Sequence, residues 1–186
     1  RLRDMGNPLW APWRIEYILA PKGQADCIFC GIPRASQQEQ RDRLVVTATR
    51  RAFVMLNRYP FASGHLLVVP HAHVASLDAL EPADHEALFR LVRESATRLR
   101  AALRCEGMNV GINLGTAAGA GIAEHLHVHI VPRWPGDTNF MPVLADTRVV
   151  PQALEATRDH LLGFFADLPA SLVDDGVPGP AAREAP

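Results

Sequence analysis

A chain of 186 residues that is 48% hydrophobic can bury one ordinary core without disulfides. Its formal net charge of -1 and lack of a long basic run exclude the electrostatic footprint of a duplex nucleic-acid binder and favour small-molecule substrates. No stretch approaches the roughly 18 to 20 continuous apolar residues that span a bilayer, and residues 1–10 carry no apolar signal segment, so a cytoplasmic protein without a membrane partner is expected.

From Asn7 to Lys22 the chain combines two tryptophans, a tyrosine and several prolines without sustained periodicity, which predicts an arm packed through aromatic contacts. Cys27 and Cys30 follow as a Cys-x-x-Cys pair; with Cys105 as a bystander, the odd set points to metal or redox chemistry and away from a structural bridge. Gln37 to Asp42 is polar and reads as a loop or a short helix. Leu44–Ala48 and Phe53–Asn57 read as strands of a hairpin turning at Thr49–Arg51. His65–Pro70 is a third strand, introduced by Ser63-Gly64 and closed by a proline that cannot donate to a ladder.

Leu88, Leu91, Val92, Ala96, Leu99 and Leu103 recur at three- and four-residue spacing after Pro82, predicting a long helix between Glu81 and Arg104. Asn109–Leu114 alternates as a strand. A Gly/Ala-rich loop follows from Gly115 to Ala123, and His125–Val131 is read as the strand completing a second hairpin. The chain is expected to be irregular after Pro132 through Met141-Pro142. Helical spacing returns in Leu154, Thr157, Leu161 and Phe165, within residues 152–168. The stretch from Pro169 to Pro186 has the composition of a disordered tail. The expected organisation is an arm over 1–25, one domain with a C-terminal helix over 26–168, and a tail over 169–186.

The run His125-Leu126-His127-Val128-His129-Ile130-Val131 carries the strongest chemical signal. Successive side chains of an extended strand point to opposite faces, so Leu126, Val128 and Ile130 can bury while three imidazoles line the other face. Imidazole serves as base, acid, nucleophile or metal ligand near neutral pH. The preceding loop contains Gly115, Gly119 and Gly121, and glycines let backbone amides converge on phosphate oxygens. A metal held by all three histidines is geometrically awkward, because the outer pair sits about 13 Å apart on a flat strand. Two of the three could share an ion more readily.

These residues resemble the signature of the histidine triad (HIT) superfamily, His-φ-His-φ-His-φ-φ with φ apolar. The resemblance covers roughly Asp26 to Trp134. Leu9-Trp10-Ala11-Pro12-Trp13-Arg14, Cys27-Ile28-Phe29-Cys30, Asn57-Arg58-Tyr59-Pro60, Gly64–Pro70 and Pro132–Phe140 are similar to a bacterial branch related to diadenosine tetraphosphate phosphorylases. It implies an α+β, HIT-like fold: an antiparallel sheet of about five strands, one long helix packed on it and a C-terminal helix. It also implies a homodimer formed through the long helix and a neighbouring strand.

By the same resemblance His127 is the nucleophile, attacking the α-phosphorus of a dinucleoside polyphosphate to form a covalent nucleotidyl-histidine that water or phosphate resolves. The expected base is adenine. His129 would hydrogen-bond a non-bridging oxygen, and amides of Gly119 and Gly121 would stabilise developing charge. Asn57 and Asn113 read from their positions as turn-formers or strand caps; the resemblance assigns Asn57 to ribose hydroxyls and Asn113 to the phosphate region. It assigns Cys27, Cys30, His73 and His125 to a structural zinc, with no organic cofactor. His65 matches a position near the site, while His71 is expected on the surface.

The chain also departs from the pattern. Gly121 and Ile122 stand where other branches have Gln and Ser, and Ala120-Gly121 where phosphorylases favour Gly-Ser. No side-chain hydroxyl is supplied there for an attacking phosphate unless Thr116 or a backbone nest substitutes, so phosphorolysis and hydrolysis both stay open. A nucleoside phosphoramidase or a non-catalytic nucleotide-binding module are the alternatives.

Overall fold

The computed structural model describes residues 27–137, 153–168 and 172. The aromatic arm, the stretch through Met141-Pro142 and all of the tail but Leu172 lie outside the described residues.

Five strands form one antiparallel sheet: β1 (Val45–Ala48), β2 (Ala52–Leu56), β3 (Leu66–Pro70), β4 (Gly107–Ile112) and β5 (Val128–Arg133), in the order β1-β2-β3-β5-β4. Among the described residues three α-helices accompany it: α1 (Gln37–Asp42), α2 (Pro82–Leu103) and α3 (Leu154–Phe165). This is the α+β architecture that the resemblance implied, with an antiparallel sheet of five strands and one long helix packed on it.

Helix α2 starts at Pro82, whose fixed φ suits the first turn and whose missing N–H would have had no intrahelical acceptor. Its buried stripe, Ala87, Leu88, Leu91, Val92, Ser95 and Leu99, packs on one sheet face. Val54, Val68, Leu126, Val128 and Ile130 come from the sheet side of that core, and Leu161 and Phe165 of α3 close it. Gly64, just before β3, has φ +81°, and a Cβ there would run into Leu103 of α2. Only glycine satisfies both demands, and it lets β3 enter directly beneath the end of α2.

The opposite sheet face is covered over β1–β3 by the Cys27–Arg34 segment. Phe29, Ile32, Val45, Phe53, Met55, Leu67 and Val69 form a second small core there. The alternation predicted for the triad is observed: its apolar residues join the α2 core, and its imidazoles face this second layer.

Element boundaries differ from expectation in instructive ways. The ladder of β5 begins only at Val128, so His125 and His127 precede it. It continues through Pro132 and Arg133, which were expected to lie outside. Past Ile130 the strand has β4 but no longer β3 as a neighbour, and a residue without an N–H is tolerated where one side is unpaired. Strand β4 starts at Gly107 and ends at Ile112, which leaves Asn113 just beyond its end. Residues 37–42 are helical because Ser36 and Glu39 form a capping box: the Ser36 hydroxyl accepts from the Glu39 N–H, and the Glu39 carboxylate accepts from the Ser36 N–H at 2.7 Å. His71 is not a surface residue. It is half-buried, stacks on Phe53 at 5.6 Å, and its Nε2–H donates to the Thr49 carbonyl at 2.9 Å.

Among the described residues no helix is long and apolar enough to cross a membrane.

Candidate active site and metal centre

The turn Cys27–Cys30, the segment after β3 and the residues leading into β5 bring four ligands to one point. One donor atom each from Cys27, Cys30, His73 and His125 lies within 4.8 Å of the others. Sγ of Cys27 is 3.3 Å from Nδ1 of His125, and Sγ of Cys30 is 3.1 Å from Nδ1 of His73. Tetrahedral zinc, with Zn–S near 2.3 Å and Zn–N near 2.0 Å, places neighbouring donors about 3.3–3.8 Å apart, close to the thiol–imidazole separations of 3.1, 3.3 and 3.7 Å found here. Nε2–H of His125 donates to the Pro70 carbonyl at 3.0 Å. That bond fixes the tautomer and directs the Nδ1 lone pair toward the cysteines, as the outer partners of metal-binding histidines do. Desolvation and then the neighbouring Cys27 push the Cys30 thiol up to about 11. A divalent cation among the four donors reverses that preference, because thiolate is its ligand. The donor set, its spacing and the His125–Pro70 bond therefore fit zinc, and a site closed by four protein ligands is structural in type.

His127 lies one alternation further along and is buried. Its Nδ1–H donates to the backbone carbonyl of His125 at 2.8 Å. Phe29 packs on it with ring centroids 5.4 Å apart and meets His125 edge-on at 5.2 Å. Burial lowers the pKa of His127, opposed only partly by the bond to His125. Its imidazole is therefore neutral near pH 7, with the proton on Nδ1 and the lone pair on Nε2. This is the protonation state a nucleophilic histidine requires.

His129 stands beside it, with ring centroids 4.9 Å apart, and is reached by His65, the residue just before β3. His65 is fully buried. Its Nδ1 accepts the Phe61 N–H at 3.1 Å and faces Nδ2 of Asn57 at 3.4 Å. With Nδ1 an acceptor, the His65 proton sits on Nε2, which donates to Nδ1 of His129 at 2.9 Å. His129 then holds its own proton on Nε2 and is a donor there.

Both readings of Asn57 have a basis. Its Oδ1 accepts the Tyr59 N–H at 3.0 Å, as in a turn, while its amide nitrogen faces His65. Asn113 shares a groove with His129, Gly111 and Phe61. Gly119 does not present its amide to the site, because its N–H donates to Thr116 O at 2.9 Å, closing a 3-10 turn, and the Ala120 N–H donates to Gly115 O. Gly119, at φ +85°, shapes the loop. Gly121 is half-buried, and the adjoining Ile122 packs on the core around Phe29.

Phe29 and the Pro70 carbonyl carry no chemical signal in the sequence. Phe29 was detectable only as one of two apolar residues inside Cys-x-x-Cys; Ile28 is exposed and Phe29 buried, so the fold decides which of them turns inward. The link from His65 to His129 spans 64 positions and has no local signature.

Comparison with known proteins agrees with this geometry. The HIT domain family matches residues 38–136. A protein of Mycobacterium tuberculosis described as AP-4-A phosphorylase is 38% identical over 175 residues, covering 90% of this chain and 88% of its own. An asymmetrical bis(5'-nucleosyl)-tetraphosphatase of Schizosaccharomyces pombe is 28% identical, over 74% of this chain and 71% of its own. Among solved structures, a zinc-bound histidine triad family protein from Mycobacterium smegmatis superposes with a TM-score of 0.60 at 28% identity, covering 77% of this chain and 96% of that one. On the family match, the identity and the shared fold, the chain belongs to the HIT domain family.

Proposed function

We propose that this HIT-family enzyme cleaves dinucleoside polyphosphates of the diadenosine tetraphosphate kind through a covalent nucleotidyl-histidine. The observation that carries this reading is the His127 Nδ1–H bond to the His125 carbonyl in a buried setting, which supports a neutral ring with an Nε2 lone pair. Nε2 of His127 attacks the α-phosphorus, a P–N bond forms, and the P–O bond to the bridging oxygen breaks with its electron pair on that oxygen. The leaving group departs as a nucleoside polyphosphate. His129, a donor at Nε2, bonds a non-bridging oxygen; Asn113 and the Gly121 amide complete the phosphate contacts, and Oδ1 of Asn57 keeps a second lone pair for a ribose hydroxyl. Water or inorganic phosphate then attacks phosphorus and releases His127. The descriptions of the M. tuberculosis and S. pombe relatives support this substrate class.

Cys27, Cys30, His73 and His125 would hold zinc, whose contribution is to tie the Cys27–Arg34 segment to the residues bearing His127. A homodimer is proposed through α2 and the β4 edge, where Phe89, Val110 and Leu114 are exposed.

Incubating the protein with diadenosine tetraphosphate, with and without phosphate, tests the reaction. AMP and ATP without phosphate identify a hydrolase, and ADP and ATP only with phosphate identify a phosphorylase. Absence of turnover under both conditions refutes the reading.

A further inference from the structure

Among the described residues, the reactive face of the sheet is roofed over only part of its width. Over β1–β3 the Cys27–Arg34 segment buries it. Over β5 and β4 it carries an open gutter of about 290 Å³, lined by Phe61, Asn109, Gly111, Asn113, His129 and Arg133 among others. The register explains the gutter. Gly111 stands opposite His129 and Gly107 opposite Arg133, so the β4 side has no side chain at either place. A Cβ on Gly111 would meet nothing within 4 Å. From His129 to Arg133 the floor runs for about 13 Å.

Polar groups mark the far end. Arg133 forms a bidentate pair with Asp137 at 2.6 and 2.8 Å, and its Nη1 donates to Oδ1 of Asn109 at 3.0 Å. Accepting that bond orients the Asn109 amide and leaves its NH₂ as a donor for a ligand. A fixed guanidinium and two amides suit phosphate and ribose oxygens, and Phe61 and Val131 supply apolar surface for a base.

We propose that this gutter seats the departing half of a dinucleoside polyphosphate, the half that carries away the bridging oxygen. The inference rests on the reaction proposed above and adds a second nucleotide subsite with Asn109 and Arg133 as its specificity residues. A substrate with a small leaving group occupies only the His129 end and makes no use of them.

The test compares kcat/KM of the full chain for diadenosine tetraphosphate and for the p-nitrophenyl ester of AMP, in wild type, Asn109→Ala, Arg133→Gln and Gly107→Val. Gly107→Val narrows the far end of the gutter, opposite Arg133, without removing a side-chain bond, which covers the case that Arg133→Gln disturbs the Asp137 turn. Each variant should lose about tenfold on the dinucleotide while changing by less than about twofold on the ester. Equal losses on both substrates, or no loss on either, overturn the gutter alone. Failure of wild type to turn over either substrate overturns the parent reaction and the gutter with it.

Discussion

Nε2–H of His65 donates to Nδ1 of His129 across 2.9 Å, joining the residue before β3 to the third histidine of the triad on β5. Under the proposed reaction His65 acts as a positioning residue, since two donors at its own Nδ1 decide which nitrogen of His129 carries the proton. His65→Ala should lower kcat by about a hundredfold with KM changed much less, because the lost interaction aligns a group that works in the transition state. His65→Gln, whose amide can still donate to His129, should recover part of the loss. Equal effects of the two substitutions, or a loss confined to KM, would count against the positioning role.

His127→Ala should reduce turnover by at least about 10⁴-fold while leaving nucleotide binding within a few-fold of wild type, since it removes the proposed attacking imidazole and leaves the other proposed nucleotide contacts in place. The check is single-turnover kinetics beside equilibrium binding of AMP. A variant that still forms product at near wild-type rate would falsify the nucleophile assignment.

Purified protein should contain one zinc per chain. His73→Ala should abolish that stoichiometry and lower the melting temperature by more than about 5 °C, because a metal bound only in the folded state adds its binding energy to stability. His73 is exposed, so its loss without a metal should be nearly neutral. Unchanged melting together with substoichiometric zinc in wild type would refute the metal site.

Gly64→Ala should destabilise the fold by about 2–4 kcal/mol, read from the urea midpoint, since the new methyl meets Leu103 at a positive φ. Gly111→Ala, in open space, should cost far less. Similar costs at the two positions would contradict the packing assigned to Gly64.

Arg98 of α2 pairs with Asp167 beyond α3, and its hydrogen bond and then its charge hold the Asp167 carboxyl below the usual carboxylate range. A depressed carboxyl contributes stability above its unfolded-state pKa, and that contribution is lost as pH falls through the lower native value. Asp167→Asn should therefore be less stable than wild type at pH 7, with the gap closing below the native value. A gap constant with pH, measured by urea denaturation, would rule out an ionic origin.

Much of the architecture was legible because it rests on local periodicity. The spacing of Leu88, Leu91, Val92 and Leu99 specified the buried stripe of α2. The alternation through Leu126, Val128 and Ile130 specified which face of the triad joins the core. Boundaries were less legible where pairing partners decide them: β5 runs through Pro132 because β3 is no longer beside it, a fact no local window contains. The capping box Ser36–Glu39 was readable but competed with a polar composition that also suits a loop.

By itself the sequence determined the chemical alphabet of this protein: three imidazoles on one face, a Cys-x-x-Cys pair, a glycine loop and one long amphipathic helix. Side-chain direction and helical pitch are short-range properties, so spacing suffices for these. Tertiary structure decided the tautomers and the neighbourhoods: the His125 carbonyl under His127, His65 behind His129, Cys27 and Cys30 against His73 and His125, and the open gutter over β4 and β5. Those depend on contacts between residues far apart in the chain and on which groups lose water when the sheet faces are covered, and neither is a property of local sequence.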